Sequence, residues 1–136
     1  MVEIKLTITL LDDSFVICRL SSGATVSAQS STNRFYSITR TDEEISVVCT
    51  TEDAPDEAKC DYGWRCFKVK GPLDFSLIGI IAAIATTLSR AGVSIFTIST
   101  FNTDYFLVKD DNLEIAIKAL EDAGHLVETH HSAKAE

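Results

Sequence analysis

Apolar and polar positions alternate along the start of the chain. Ile4, Leu6, Ile8 and Leu10 are interleaved with Glu3, Lys5, Thr7 and Thr9, the period-two signature of a strand with one buried face. Asp12-Asp13 predicts a turn, and Ser14 to Leu20 a second strand. Ser21-Ser22-Gly23 ends it. Residues 24–31 are at most weakly helical, being rich in serine and β-branched side chains. Phe35 to Thr39 and Ile45 to Cys49 predict a third and a fourth strand around the solvated acidic turn Asp42-Glu43-Glu44. Thr51 to Asp61 contains Pro55 and the acids Glu52, Asp53, Asp56 and Glu57 without apolar periodicity, which predicts a connecting loop.

From Trp64 onward two periods take turns. Trp64 to Lys70 predicts a strand, with Trp64 in the core, and Gly71-Pro72 a turn. Asp74 or Ser76 is placed to cap the helix that follows. Leu77, Ile81, Ile84 and Leu88 recur at three- and four-residue spacing, one apolar stripe of a helix that Gly92 ends in a left-handed cap. SIFTIS and DYFLVK, residues 94–99 and 104–109, predict two strands joined by Phe101-Asn102-Thr103. Asp110-Asp111-Asn112 predicts a cap for a second helix, with Leu113, Ile117 and Leu120 as its stripe and Glu114–Lys118 as a favourable pair. Gly124 closes that helix, His125 to Thr129 predicts a last strand, and the end of the chain reads as a frayed tail. The order β-α-β-β-α-β is the ferredoxin-like pattern, with both helices on one face of a four-stranded antiparallel sheet.

The first half echoes this second half. SITRTDEEISVV, residues 37–48, aligns without a gap on TISTFNTDYFLV, residues 97–108, so that Ile38 falls on Ile98, Glu44 on Asp104 and Val48 on Val108. The chain is therefore expected to be α+β, with two related units. Residues 1–61 form a unit whose first helix is shortened and whose second is replaced by the 51–61 loop. Residues 62–130 form a complete unit, and 131–136 a disordered tail. Two such units side by side leave a seam, a favoured place for a small ligand.

Composition narrows the function. With 136 residues, 46% hydrophobic and 24% charged, the chain has the make-up of a soluble globular domain. A net charge of −8 and the lack of any basic run argue against nucleic acid and anionic membranes. The apolar run Ile78 to Ala85 is too short to span a bilayer. Met1-Val2-Glu3 does not begin a signal peptide, so the expected location is the cytoplasm, with its four cysteines reduced. Cys18 and Cys49 lie in apolar strand patterns, as small core residues do. Cys60 and Cys66 flank Tyr62-Gly63-Trp64 with no matching histidine or second cysteine pair, so neither a metal nor a cofactor is expected. No nucleophile motif or phosphate loop is present, which argues against an enzyme.

LSRAGVSIFTIST and KDDNLEIAIKALEDAG resemble the ACT domains, small regulatory units that bind amino acids. The likeness is closest to the tandem ACT group of the CASTOR-type arginine sensors and the regulatory ends of aspartate kinases, where PLDFSLIGII and ISTFNTD are similar to the ligand loop and strand turn. It is specific over residues 64–124 and weaker over residues 1–50. The resemblance implies two ACT units, the first abbreviated, with a free amino acid in the seam between them. It also implies that Asp74, Phe75, Ser76, Leu77, Ile78, Gly79 and Ile80 wrap the ligand, that Thr100, Phe101 and Asp104 line the other side, and that Ser37 and Ile38 come from the first half.

The chemistry of these residues suits a zwitterion. Free N–H groups at a helix start favour its carboxylate, Gly79 lets backbone approach, and Asp104 can take its ammonium group. The arginine sensors carry acids where this chain has Ser76 and Leu77, so the expected ligand is a neutral amino acid. By resemblance a homodimer and a regulated protein partner are also expected. Simpler readings stand beside these. Asp74 serves as a helix cap alone, Asp104 as a solvated turn residue, Phe101 as a rim aromatic. A second function class is then a ligand-free interaction module that pairs through a sheet edge or a helix face.

Overall fold

The computed structural model describes residues 5–26, 34–70 and 79–129. In chain order the elements are β1 (Thr7–Leu20), β2 (Tyr36–Arg40), β3 (Ile45–Thr50), β4 (Lys59–Val69), α1 (Ile80–Arg90), β5 (Phe96–Ser99), β6 (Asp104–Lys109), α2 (Leu113–Asp122) and β7 (Leu126–Thr129). The fold is α+β, and the chain divides into two compact units. One comprises Met1–Asp12 with Arg65–Glu136, the other Asp13–Trp64. The boundary expected at 61/62 thus falls inside β4, and residues 5–12 group with the C-terminal unit.

In that C-terminal unit the strands follow the order β7, β1, β4, β6, β5, and α1 packs against α2. A bare ferredoxin-like unit would pair its last strand with its first. Here the N-terminal strand pairs with β7 instead, in parallel, from Thr7 opposite Leu126 to Leu10 opposite Thr129. The core lies between sheet and helices. Ile8, Leu10, Phe67, Val69, Phe106 and Val108 come from the strands, and Ile80, Ile84, Leu88, Ala116 and Leu120 from the helices. Phe67 and Phe106 stack at 4.8 Å with their planes 10° apart. Such pairs contribute about 0.5–1.5 kcal/mol beyond burial.

In the other unit β2, β3 and the second part of β1 form an antiparallel set. Phe15 faces Thr50 and Leu20 faces Ile45 across β1–β3, and Tyr36 faces Cys49 across β2–β3. Its core gathers Val16, Cys18, Leu20, Ile45, Val47 and Cys49.

Several local expectations need correction. Asp12-Asp13 makes no turn, because β1 runs through both residues as one 14-residue strand. β4 likewise begins at Lys59, ahead of Trp64, and passes through Gly63, whose φ of 85° marks a bend that other residues adopt at a cost. The first helix begins at Ile80, and Ile80 rather than Ile81 is the buried member of its stripe. Leu77, the turn at Gly71-Pro72, part of 24–31 and the tail fall outside the described residues. Asp110–Asn112 is a 3-10 turn, and no side chain caps α2. Lys118 pairs with Asp122 at 3.0 Å rather than with Glu114.

The internal repeat is present but one residue out of register. In the hairpins Arg40 faces Ile45 and Ser99 faces Asp104. Arg40 therefore corresponds to Ser99, Ile45 to Asp104, and Glu44 to Thr103. Turn bonding agrees: Thr41 N–H donates to Glu44 O at 2.9 Å, as Thr100 N–H does to Thr103 O at 2.8 Å. Burial agrees too, since Val47 and Cys49 face one core as Phe106 and Val108 face the other. Sequence similarity aligned Val48 with Val108, residues on opposite faces, because a shift of one residue in a strand exchanges its two faces.

Candidate functional site

The β5–β6 hairpin is built from its turn outward. The Thr100 hydroxyl donates to Thr103 O at 3.0 Å, and Thr103 N–H reaches back to Thr100 Oγ1 at 3.4 Å. With the backbone bond between the same residues, Phe101 and Asn102 are left at the tip. Phe101 is 81% exposed. Behind the tip, Ser99 Oγ donates to Asp104 Oδ1 at 2.5 Å across the last pair of the hairpin. That bond orients the carboxylate and leaves Oδ2 able to accept from another donor.

Thr103 fixes where this corner sits. Its side chain is 5% exposed, and its hydroxyl donates to Val69 O at 2.5 Å. Val69 is the last residue of β4, the strand whose continuation leads to α1. The hairpin turn is therefore tied to the end of the sheet from which that connection departs.

The start of α1 has its own chemistry. Gly79 occupies the N-cap position with a left-handed φ of 89°, and its carbonyl accepts from Ala83 N–H at 2.8 Å. Among the described residues no side chain caps this end, and no acid lies in the first turn. The first-turn N–H groups point out of the helix with the positive end of its dipole behind them, an arrangement suited to an anion. Ile80 directs its side chain into the core, so it offers only backbone to this end.

Of the residues expected from the sequence, Thr100, Phe101 and Asp104 come together on one hairpin, and Gly79 and Ile80 on one helix end. Thr100 spends its hydroxyl on the turn. Ser37 and Ile38 lie on β2 in the other unit, and Ile38 packs against that unit's core. Asp74, Phe75, Ser76, Leu77 and Ile78 lie outside the described residues. Ser99 and Thr103 are the two positions that sequence reasoning passed over. The Thr-x-x-Thr spacing of the turn was the available signal for Thr103.

The site offers donors and one carboxylate. Among the described residues no group of three or more His, Cys, Asp or Glu side chains is placed to hold a metal ion. His125, 6% exposed, has a different task. Its Nδ1 accepts from Leu6 N–H at 3.1 Å, which ties the approach to β1 to the corner between α2 and β7. Burial, and then the Lys5 ammonium, lowers the pKa of this imidazole, so the neutral acceptor form persists. Among the described residues no helix is long and apolar enough to cross a membrane.

Comparison with known proteins adds an independent line. The family model described as ACT domain matches residues 59–122, and a second model, of an N-terminal domain, matches residues 13–57. The cytosolic arginine sensor for mTORC1 subunit 1 of Pongo abelii is 32% identical over 122 residues, which is 83% of this chain and 37% of that protein. The Homo sapiens protein of the same name is 42% identical over 59 residues. The chain spans well under half the length of these curated relatives. A crystal structure of an Agobacterium tumefaciens protein is 37% identical with a TM-score of 0.86, covering 94% of this chain and 96% of that one. The regulatory subunit of aspartate kinase from Thermus thermophilus shares the fold, at 11% identity and a TM-score of 0.60, over 85% of this chain and 95% of its own.

Proposed function

We propose, from the match of residues 59–122 to the ACT domain family model, that this protein is a non-catalytic regulator that binds a free amino acid and passes its occupancy to a protein partner. The observation that carries the reading is the Thr103–Val69 bond, which ties the hairpin beside Asp104 to the last residue of β4, the strand that precedes α1 in the chain. In the proposed complex the first-turn N–H groups of α1 take the α-carboxylate and Asp104 takes the α-ammonium group, both as charge-assisted bonds. Phe101 and Thr100 form the rim, and residues 74–78 wrap the ligand. Ser37 and Ile38, added by family resemblance, belong to the proposal with their own test. Substituting Ser37→Ala should weaken binding without loss of fold.

The ligand proposed is a neutral amino acid. The curated relatives are arginine sensors by name, but this chain has the uncharged Ser76 and Leu77 at two loop positions, and neither side chain offers a guanidinium a charged partner. The test is a thermal-shift screen of the common amino acids followed by calorimetry. At least one neutral amino acid should raise the melting midpoint, and Asp104→Ala should remove that rise while leaving a cooperative transition. If no amino acid raises the midpoint, the binding proposal fails and the ligand-free interaction module takes its place. Micromolar arginine binding with no neutral binder overturns the choice of ligand alone.

A further inference from the structure

Three thiols converge in the unit formed by Asp13–Trp64. Cys18 on β1 and Cys49 on β3 belong to its apolar core, and Cys60 on β4 packs against them. The sequence set Cys60 and Cys66 together around Tyr62-Gly63-Trp64, with all four thiols expected reduced. The fold instead brings the sulfurs of Cys18 and Cys60 to 3.0 Å, from neighbouring strands and positions 42 residues apart. That separation is about 1 Å more than a disulfide bond, so closing it requires small side-chain movement. The four cysteines are free thiols. Cys18 is 1% exposed, whereas Cys60 is half-buried and accessible to a small reagent. Burial first, then the bond to Cys60, pushes the Cys18 thiol up, and burial pushes Cys49 up to about 11. Neither is a ready nucleophile, and attack on an oxidant falls to Cys60.

We propose that Cys18 and Cys60 form a reversible dithiol–disulfide switch that ties β1 to β4 within this unit. The oxidant is a hydroperoxide. The Cys60 thiolate attacks one peroxide oxygen, the O–O bond breaks, and the departing oxygen leaves as water (or an alcohol) once protonated, which gives a sulfenic acid. The Cys18 sulfur then attacks the Cys60 sulfur. Its proton goes to the displaced hydroxide, and water leaves. The two thiols lose two protons and two electrons, and the peroxide gains them. A dithiol reductant runs thiol–disulfide exchange in reverse and restores both thiols. The closed loop restricts the unfolded chain, so the oxidised protein should melt higher.

The experiment treats the folded protein with hydrogen peroxide, blocks the remaining thiols after denaturation, and maps the peptides. The expected result is a peptide linking Cys18 to Cys60, with Cys49 and Cys66 still alkylated, and a melting midpoint several degrees higher that returns to its starting value with dithiothreitol. Cys60→Ser changes a partly exposed position and should fold. It should show neither the link nor the rise in midpoint. Four free thiols after treatment, any other pairing, links only between molecules, or a Cys18–Cys60 link that leaves the midpoint unchanged would overturn the proposal.

Discussion

Asp104 and Thr103 are adjacent and do opposite work. Asp104 is half-exposed, so removing its carboxylate costs the fold little. Asp104→Ala is expected to change stability by about 0.5 kcal/mol or less in urea titration while removing the ligand response. Thr103 is buried with its hydroxyl on Val69 O. Thr103→Val leaves that carbonyl without its partner and should cost about 1–3 kcal/mol, most of which Thr103→Ser restores. His125 adds a pH dependence. Its folded-state pKa lies below the unfolded value, so the unfolded chain binds the extra proton first. The stabilising contribution is complete above the unfolded pKa of about 6.5 and is lost as pH falls through the lower folded value. Melting midpoints taken from pH 7.5 down to pH 5 should fall, and His125→Gln should flatten that part of the profile. Asp104 opens β6 beside the turn rather than lying in it, and the repeat of Glu44 that singled it out in the sequence dissolves once the hairpins are set in register.

At the scale of elements, periodicity located both helices and most strands, and Gly92 and Gly124 both adopt the left-handed φ that ends a helix. Strand length was where it failed. Asp12-Asp13 has the composition of a turn, yet β1 runs extended through it, with its pairing to β7 before these residues and to β3 after them. Gly63 is the converse, a residue that looks like a loop and lies inside a strand. A Cβ built there meets nothing within 4 Å, so the penalty for substitution is that of backbone conformation alone. Gly63→Ala should therefore destabilise by about 1 kcal/mol, measured by denaturant unfolding, without changing the far-ultraviolet spectrum.

For the whole molecule, the proposal predicts linkage between occupancy and stability. A ligand held only by the folded chain at a hundredfold excess over Kd should add about 2.7 kcal/mol of stability, read as a midpoint that climbs with the logarithm of ligand concentration. The same titration on Asp104→Ala should be flat.

The sequence by itself determined the α+β class, the β-α-β-β-α-β order of the second half, the C-terminal ends of both helices and the hairpin turn beside Asp104. These are local properties, written in the period of apolar residues and in the few residue types that turns accept. Tertiary structure decided the rest. It placed the N-terminal strand beside β7, set the repeat one residue over, seated Thr103 on Val69 and brought the sulfurs of Cys18 and Cys60 to 3.0 Å. Each of these joins residues distant in the chain. An alternating pattern states that a strand has two faces, but which neighbour it takes and in which register depends on how all the strands bury their apolar sides together.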